Sequence, residues 1–292
     1  MMSTTLFYTL GYSRGQTIST GQKVVIIIDF GYPAYDNTSG QYGACLLNDY
    51  TFHSTSEIQS VTESFLAGFY YASPSGISLT LAVGVNNATT SRCMTSSVTS
   101  AHGVAWAQMI NNINSWIVGP PGPNWANKLV AWGAIDAEPQ WNTALVTRAW
   151  VDGFASARTG QSNYLDFGAC DGCSYDGYGW GSPWTQGDIL YMAWIAPGAF
   201  PLPEIYLTNG ANADQWYHMS LYAYNTYGAP IVFRGSLTQW NACQEQSDPN
   251  TCPSQGTNNM PSEGYMQLYN AINHDPHTAQ SMPWSSDMSW VK

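Results

Sequence analysis

The sequence predicts an α/β protein, a single (β/α)8 TIM-type barrel in which some helices are short or missing. Apolar runs of strand length alternate with segments of helical periodicity, which predicts right-handed crossovers between parallel strands. The first run, residues 24–30, is continuously apolar up to Asp29, as in strands that are covered on both faces. A length of 292 residues also suits one barrel of this type.

Eight strands are predicted from these apolar runs and from the turn residues that follow them. They are residues 24–30, 43–49, 77–85, 129–138, 164–169, 188–196, 204–207 and 231–234. The length of segment 188–196 also permits a short helix. Helices are predicted from their periodicity, caps and terminating Gly or Pro residues at positions 56–71, 102–116, 142–157, 213–227 and 260–273.

One domain over residues 1–292 is predicted, because neither an internal repeat nor a low-complexity linker divides the chain. Residues 1–22 are expected to form a polar leader segment. Residues 240–292 are expected to form a C-terminal helix and a tail that pack on the barrel. A doubly wound open sheet is the alternative fold, but no G-x-G-x-x-G or P-loop follows the first strand.

The composition limits the partners of this chain. Only 9% of residues are charged and 14% are aromatic, and the formal net charge is −11. No cluster of Lys or Arg is present to neutralise phosphates, which argues against nucleic acid and anionic membrane surfaces. No segment has the length of a transmembrane helix, so no membrane insertion is expected. An aromatic, weakly charged surface suits a polysaccharide or oligosaccharide, and the chain is expected to be a monomer.

Six cysteines are compatible with three disulfides and an oxidising compartment, so we expect a secreted protein. The favoured pairs are Cys243 with Cys252, Cys45 with Cys93, and Cys170 with Cys173. The last pair forms a C-x-x-C, which is also found in redox motifs and zinc sites, but no second C-x-x-C or His pair accompanies it. Residues 1–12 lack the regions of a signal peptide, so a mature form behind an added start Met is expected.

Two N-glycosylation sequons are present, Asn37-Thr38-Ser39 and Asn87-Ala88-Thr89. This pattern is short and frequent by chance, so the sequence does not distinguish an acceptor from a coincidence.

Carboxylates form the most informative motif of the sequence. Asp136 and Glu138 follow a buried strand at i, i+2 spacing, so both side chains point to the same side. Each acid disfavours the charged form of the other, which suits chemistry that needs one protonated and one ionised carboxyl group. The alternative is a pair of solvated acids at a strand end, or an acid paired with Arg.

Two further acids follow strands, Asp29 after the first and Asp166 in the fifth. Barrel enzymes carry their active sites at these strand ends, so the four carboxylates are predicted to face one pocket. Cleavage of a glycosidic bond needs such a set. The five histidines are dispersed without H-x-x-x-H spacing, and G-x-S-x-G is absent, so neither a metal, a cofactor nor a serine nucleophile is expected.

These motifs show a family resemblance. Asp29 at the end of strand one, Asp136-x-Glu138, and Trp194-Ile195-Ala196 resemble the glycoside hydrolase family 25 lysozymes and related barrels, over roughly strands one to six. The resemblance implies that Glu138 is the catalytic acid/base, that Asp136 stabilises the intermediate or orients an acetamido group, and that Asp29 shapes the charge of the site. Phe-Gly-Tyr-Pro after Asp29 departs from the Ser- and Gln-containing turn usual in that family.

The predicted function is therefore a secreted glycoside hydrolase acting on a polysaccharide, such as peptidoglycan or a chitin-like polymer with N-acetylhexosamine. The alternative is a non-catalytic carbohydrate-binding or cell-surface protein on the same barrel. Candidate substrate-binding residues are Asp166, Trp194, Tyr32, Tyr206 and Arg234. Three of the candidate residues also have a purely structural interpretation. Asp29 would cap a turn, Asp166 would form an ion pair with Arg234, and Trp194 would pack inside the barrel.

Overall fold

The structure, a computed structural model, describes residues 2–119, 124–170, 172–173, 184–246, 248 and 250–288. The chain divides into two compact units. The first contains Met1–Ala134 and Ala149–Tyr164, and the second contains Ile135–Arg148 and Leu165–Lys292.

Helices and strands alternate over much of the described chain. The helices are α1 (Thr4–Thr17), α2 (Thr55–Ala72), α3 (Ser100–Val118), α4 (Ala144–Ala157), α5 (Gln186–Leu190), α6 (Ala211–Tyr227), α7 (Trp240–Gln244), α8 (Thr251–Gln255) and α9 (Pro261–Asn273), with a π-helical segment at Tyr191–Ile195. The strands are β1 (Lys23–Asp29), β2 (Tyr32–Asp36), β3 (Gln41–Cys45), β4 (Phe52–Ser54), β5 (Ser78–Asn86), β6 (Thr95–Ser96), β7 (Leu129–Asp136), β8 (Tyr164–Asp166), β9 (Ala199–Pro201), β10 (Gly235–Thr238) and β11 (Trp284–Asp287).

The predicted α/β class with a parallel sheet is confirmed. Five strands form this sheet in the order β1-β5-β7-β8-β9, and β1 pairs with β5 in the register that sets Asp29 opposite Gly84. In the first unit, β2, β3, β4 and β6 form an antiparallel sheet in the order β4-β3-β2-β6. In the second unit, β10 and β11 form a parallel pair. Closure of eight strands into a barrel stays a prediction.

The predicted second strand, residues 43–49, is wrong as a member of the parallel sheet. Its first half belongs to β3, which pairs antiparallel with β2 and β4. A tight turn at residues 37–40 joins β2 to β3, and such a short connection permits only antiparallel pairing. Asp136 therefore ends the third strand of the parallel sheet in chain order, and not the fourth.

The predicted sixth strand, residues 188–196, is helical, so the short-helix alternative is correct. Thr185 and Asp188 form a reciprocal capping box, in which each side chain binds the backbone N–H of the other. This cap starts α5, which continues into the π-helical segment Tyr191–Ile195. Trp194 lies in that segment, so the part of the family resemblance that required a Trp-Ile-Ala strand is lost.

The last two predicted strands are displaced. In segment 204–207 only Glu204 forms a β-bridge, with Leu237. Residues 231–234 are not a strand because the Gln280 side chain takes the place of a neighbour: it accepts from the N–H of Phe233 at 2.8 Å and donates to the carbonyl of Ile231 at 2.6 Å. The strand β10 begins one residue later.

Both chain ends are more regular than predicted. The leader segment 1–22 contains α1, whose first turn is capped by the Ser3 hydroxyl accepting from the Leu6 N–H at 3.2 Å. The C-terminal tail contains β11, which pairs with β10. All three favoured disulfides are present: Cys45–Cys93, Cys170–Cys173 and Cys243–Cys252.

Helices α1 and α2 cross at backbone contact in the first unit. A Cβ added at Gly11 would lie 2.0 Å from the carbonyl oxygen of Phe65, and one at Gly68 would lie 2.1 Å from that of Tyr8. No side chain fits such a gap, so the crossing depends on these glycines. Phe7, Phe65 and Phe69 are buried.

The sign of a stability change tests this crossing. At a free helix position, Gly→Ala stabilises a protein by roughly 0.5–1 kcal/mol. Here we expect Gly11→Ala to lower the free energy of unfolding by about 1–3 kcal/mol, because the new methyl group forces the helices apart. Denaturant unfolding measures the change. Ser13→Ala, at an exposed position of the same helix, is the control, and a gain in stability in both variants would contradict the crossing.

A buried imidazole joins α3, α4 and β3 in the first unit. The Trp150 indole donates to His102 Nδ1 at 2.8 Å, so the proton of the neutral ring lies on Nε2 and is donated to the Gly43 carbonyl at 2.7 Å. Trp106 stacks on this ring and donates its own indole N–H to the Val83 carbonyl at 2.9 Å. Burial lowers the pKa of His102 to about 4.

We expect His102 to stay neutral in the folded protein down to about pH 4. The unfolded chain takes up this proton near pH 6.5, so the contribution of His102 to the free energy of unfolding is complete above pH 6.5. It falls as the pH is lowered towards 4. NMR titration of the imidazole checks the pKa, and a midpoint near 6.5 in the folded state would contradict the buried tautomer.

Candidate functional site

In the second unit, the acid pair lies at the carboxyl end of β7, with Asp136 as the last residue of the strand. Residues 134–137 are all buried, and the Asp136 side chain is 7% exposed. Glu138 lies two residues further along and is partly exposed. Apolar residues hold the strand in place up to its last position, so the first acid is held by a buried strand while the second reaches solvent.

Asp166, at the end of β8, lies against this segment. Its carboxylate accepts the N–H of Gly168 at 3.3 Å and the N–H of Ala137, the residue between the two acids. The Phe167 N–H also donates to the Ile135 carbonyl at 3.0 Å, which sets the two strand ends side by side. The structure therefore brings Asp166 together with the Asp136-x-Glu138 segment.

The environment of Asp166 favours its protonated form. Burial raises its pKa to about 7, the charge of Glu138 adds to the rise, and the two N–H donors oppose it. The side chain is only 3% exposed. The site thus contains a carboxyl group that exchanges its proton near neutral pH, beside a second carboxyl group that reaches solvent.

Gly168 is a residue of this site that the sequence analysis missed. A Cβ at this position would lie 2.7–2.9 Å from three backbone atoms of Ala137, so the close approach of the two strand ends requires glycine. The signal in the sequence was a glycine two residues after a strand-end acid. Its meaning depends on which strands are neighbours, and that is not visible locally.

Asp29 belongs to the first unit and ends β1. Its Oδ1 accepts the Gly31 N–H at 3.0 Å. This is the turn-capping contact that the structural interpretation of Asp29 predicts. Protein atoms surround the carboxyl group and burial raises its pKa to about 6, although part of its surface reaches solvent. Its participation in a site with the other acids stays a prediction.

Tyr32 lies near Asp29 and contacts a group formed by Tyr50 and Arg92, two residues that the sequence analysis missed. The rings of Tyr32 and Tyr50 stack with centroids 6.0 Å apart. The Arg92 guanidinium lies over the Tyr50 ring and donates to its hydroxyl at 3.0 Å. Tyr50 has a φ of 57°, an uncommon conformation for a tyrosine. The disulfide of the neighbouring Cys93 anchors this loop to β3.

The remaining predicted residues lie in the second unit. Trp194 in the π-helical segment and Tyr206 beyond the Glu204 bridge are both partly exposed. Arg234 precedes β10, and its guanidinium lies 4.0 Å from the centre of the Phe200 ring. Arg234 makes no ion pair with Asp166 among the described residues. The membership of Trp194, Tyr206 and Arg234 in a site with the acid pair stays a prediction.

No group of three or more His, Cys, Asp or Glu side chains is arranged to hold a metal ion within the described ranges. None of the helices in the described part of the chain is long and apolar enough to cross a membrane.

Comparisons with protein-family models, with curated proteins and with solved structures found no match for this chain.

Asp166→Asn tests the buried acid through the pH dependence of stability. The folded-state pKa of about 7 lies above the unfolded value, so the contribution of Asp166 is complete below pH 4 and is lost as the pH rises through 7. Asn keeps an acceptor oxygen and does not ionise. We expect D166N to gain stability relative to wild type with rising pH, by at most about 4 kcal/mol at about 1.4 kcal/mol per pKa unit.

Chemical denaturation between pH 4 and pH 9 measures this difference. Asp248→Asn, at an exposed position, is the control for the loss of one carboxylate. A pH-independent difference between D166N and wild type would show that Asp166 is ionised throughout.

Proposed function

We propose that this chain is a secreted glycoside hydrolase that cleaves a polysaccharide containing N-acetylhexosamine, on a (β/α)8 barrel. The observation that carries the proposal is the contact of the buried Asp166 carboxylate with the Ala137 N–H, between Asp136 and Glu138. The acid pair and Asp166 thus lie at the carboxyl ends of two neighbouring parallel strands, where barrel enzymes hold their catalytic residues.

Glu138 is the proposed acid/base because it is the member of the pair that reaches solvent. It donates a proton to the leaving glycosidic oxygen, and the C–O bond to the anomeric carbon breaks. Asp136 stabilises the positive charge that develops on the sugar ring. A water molecule adds to the anomeric carbon and returns a proton to Glu138.

Asp166 is a positioning residue in this proposal. Its hydrogen bond to Ala137 fixes the backbone between the two acids, so the separation of Asp136 and Glu138 is preserved during the reaction. Near neutral pH it also holds a proton for part of the time, which limits the negative charge next to Glu138.

The composition of the chain supports a neutral glycan as substrate. Trp194, Tyr206 and Tyr32 are partly exposed aromatic side chains, and such rings stack on the apolar faces of sugars. Arg234 is the proposed hydrogen-bond donor to sugar hydroxyl groups. The three disulfides support an extracellular location, where polysaccharides are found.

Glu138→Gln is the decisive variant. It removes the proton donor and keeps the size of the side chain, so we expect hydrolysis of peptidoglycan or chitin fragments to fall by at least roughly 100-fold, as for loss of a general acid. Reducing-end release measures the rate. The matched control is Glu63→Gln, in α2 of the first unit, where the Gln59 amide donates to the carboxylate. The control is expected to keep wild-type activity.

The non-catalytic alternative makes a different prediction for the same assay. Wild type would then bind the glycans in pull-down experiments without releasing reducing ends, and E138Q would bind equally well. Hydrolysis that survives in E138Q would instead assign the proton donor to another residue.

A further inference from the structure

We propose that Asn37 is an N-glycosylation site and that the depression beside it holds the first sugar of the attached glycan. The inference concerns the first unit and does not rest on the proposed hydrolase activity. It combines a sequon, the exposure of its asparagine and a polar surface of suitable chemistry.

The structure separates the two sequons of the chain. Asn37 lies at the tip of the turn between β2 and β3 and is exposed, as are Thr38 and Ser39. Asn87 follows β5 and is 0% exposed. A folded chain has no room for a sugar on the Asn87 amide, so only the first sequon is compatible with a glycan in the folded protein.

The turn that carries Asn37 is held by its neighbour Asp36. The Asp36 carboxylate accepts the N–H groups of Thr38 at 2.9 Å and Ser39 at 3.3 Å, together with the Ser39 hydroxyl at 2.6 Å. The Gly40 N–H closes the turn on the Asp36 carbonyl at 2.8 Å. None of these bonds uses the Asn37 side chain, so its modification leaves the turn intact.

The hydrogen bond from the Asn37 amide to Thr95 also survives modification. Nδ2 donates to the Thr95 hydroxyl at 2.6 Å. A primary amide nitrogen carries two hydrogens, and glycosylation replaces one of them. The remaining N–H continues to donate to Thr95, which fixes the direction in which the sugar leaves the turn.

An open depression of about 490 Å³ lies beside the acceptor, which forms part of its lining. Its polar lining includes Asp36, Asn37, Thr38, Thr90, Ser91 and Thr95. Hydroxyl and carboxylate groups of this kind match the hydroxyl and acetamido groups of a proximal N-acetylglucosamine. The depression therefore fits a sugar attached at Asn37, which needs polar contacts and no apolar pocket.

The modification needs a donor and a compartment. The donor is an oligosaccharide linked through pyrophosphate to a polyprenyl lipid. The Asn37 amide nitrogen forms a bond to the anomeric carbon, the bond from that carbon to the pyrophosphate oxygen breaks, the lipid pyrophosphate leaves, and one amide proton passes to a base of the transferase. Chains that form disulfides on the secretory route meet this donor in the same compartment.

Secretion of the full chain from a eukaryotic cell, followed by glycopeptide mass spectrometry, tests the site. We expect a glycan on Asn37 and none on Asn87 in the folded, secreted protein. Asn37→Gln and Ser39→Ala should each abolish the modification, whereas the matched variant Thr89→Ala should retain it. Folded, secreted wild type without a glycan on Asn37, or with one on Asn87, would overturn the assignment.

A second measurement tests the place of the first sugar. Endoglycosidase treatment trims the glycan to a single N-acetylglucosamine, and hydrogen exchange is then compared with that of the unglycosylated Ser39→Ala variant, which keeps the Asn37 amide and its bond to Thr95. We expect amide exchange in residues 90–91 and 93–96, which line the depression, to slow with the sugar present. Equal exchange in the two samples would show that the sugar projects into solvent, against the second half of the proposal.

Discussion

The burial of the Asp166 carboxyl group against the backbone of Ala137 is the constraint on which the proposed site depends. A buried carboxylate is costly unless it accepts hydrogen bonds, and here two N–H groups supply them. One of these donors lies between Asp136 and Glu138, so satisfying the buried acid also fixes the segment that carries the other two. The same contact explains why residue 168 is glycine, since a side chain would separate the strand ends.

Patterns within short stretches of sequence predicted the elements whose structure depends on those stretches alone. Continuous apolar runs identified β1, β5 and β7, and the i, i+2 spacing identified the acids that follow β7. The predictions were wrong where residues distant in the sequence determine the local structure. At the predicted strand 231–234, the side chain of Gln280, 47 residues beyond Phe233, takes the place of a neighbouring strand. Tyr50 and Arg92 were missed for the same reason, because their meeting depends on a loop that a disulfide holds.

Charged residues make up only 9% of this chain, and the contacts described above are neutral hydrogen bonds and close backbone packing. In the first unit, the neutral His102 ring serves two partners that a charged side chain would not satisfy, because one of its nitrogens must accept. The crossing of α1 and α2 at glycine brings the two backbones into direct contact without a side chain between them. The buried groups His102 and Asp166 therefore couple stability to pH through their shifted pKa values.

Those buried groups act in opposite directions as the pH changes. Asp29 and Asp166 have raised pKa values, so the folded state retains their protons and each contribution to stability is lost as the pH rises through about 6 and 7. His102 has a lowered pKa, so its contribution is lost as the pH falls towards 4. Between pH 4 and 6.5 the effects oppose one another, and above that range only the loss from Asp166 continues. The proposed chemistry, which needs one protonated carboxyl group, thus agrees with a fold whose acids with raised pKa values favour mildly acidic conditions.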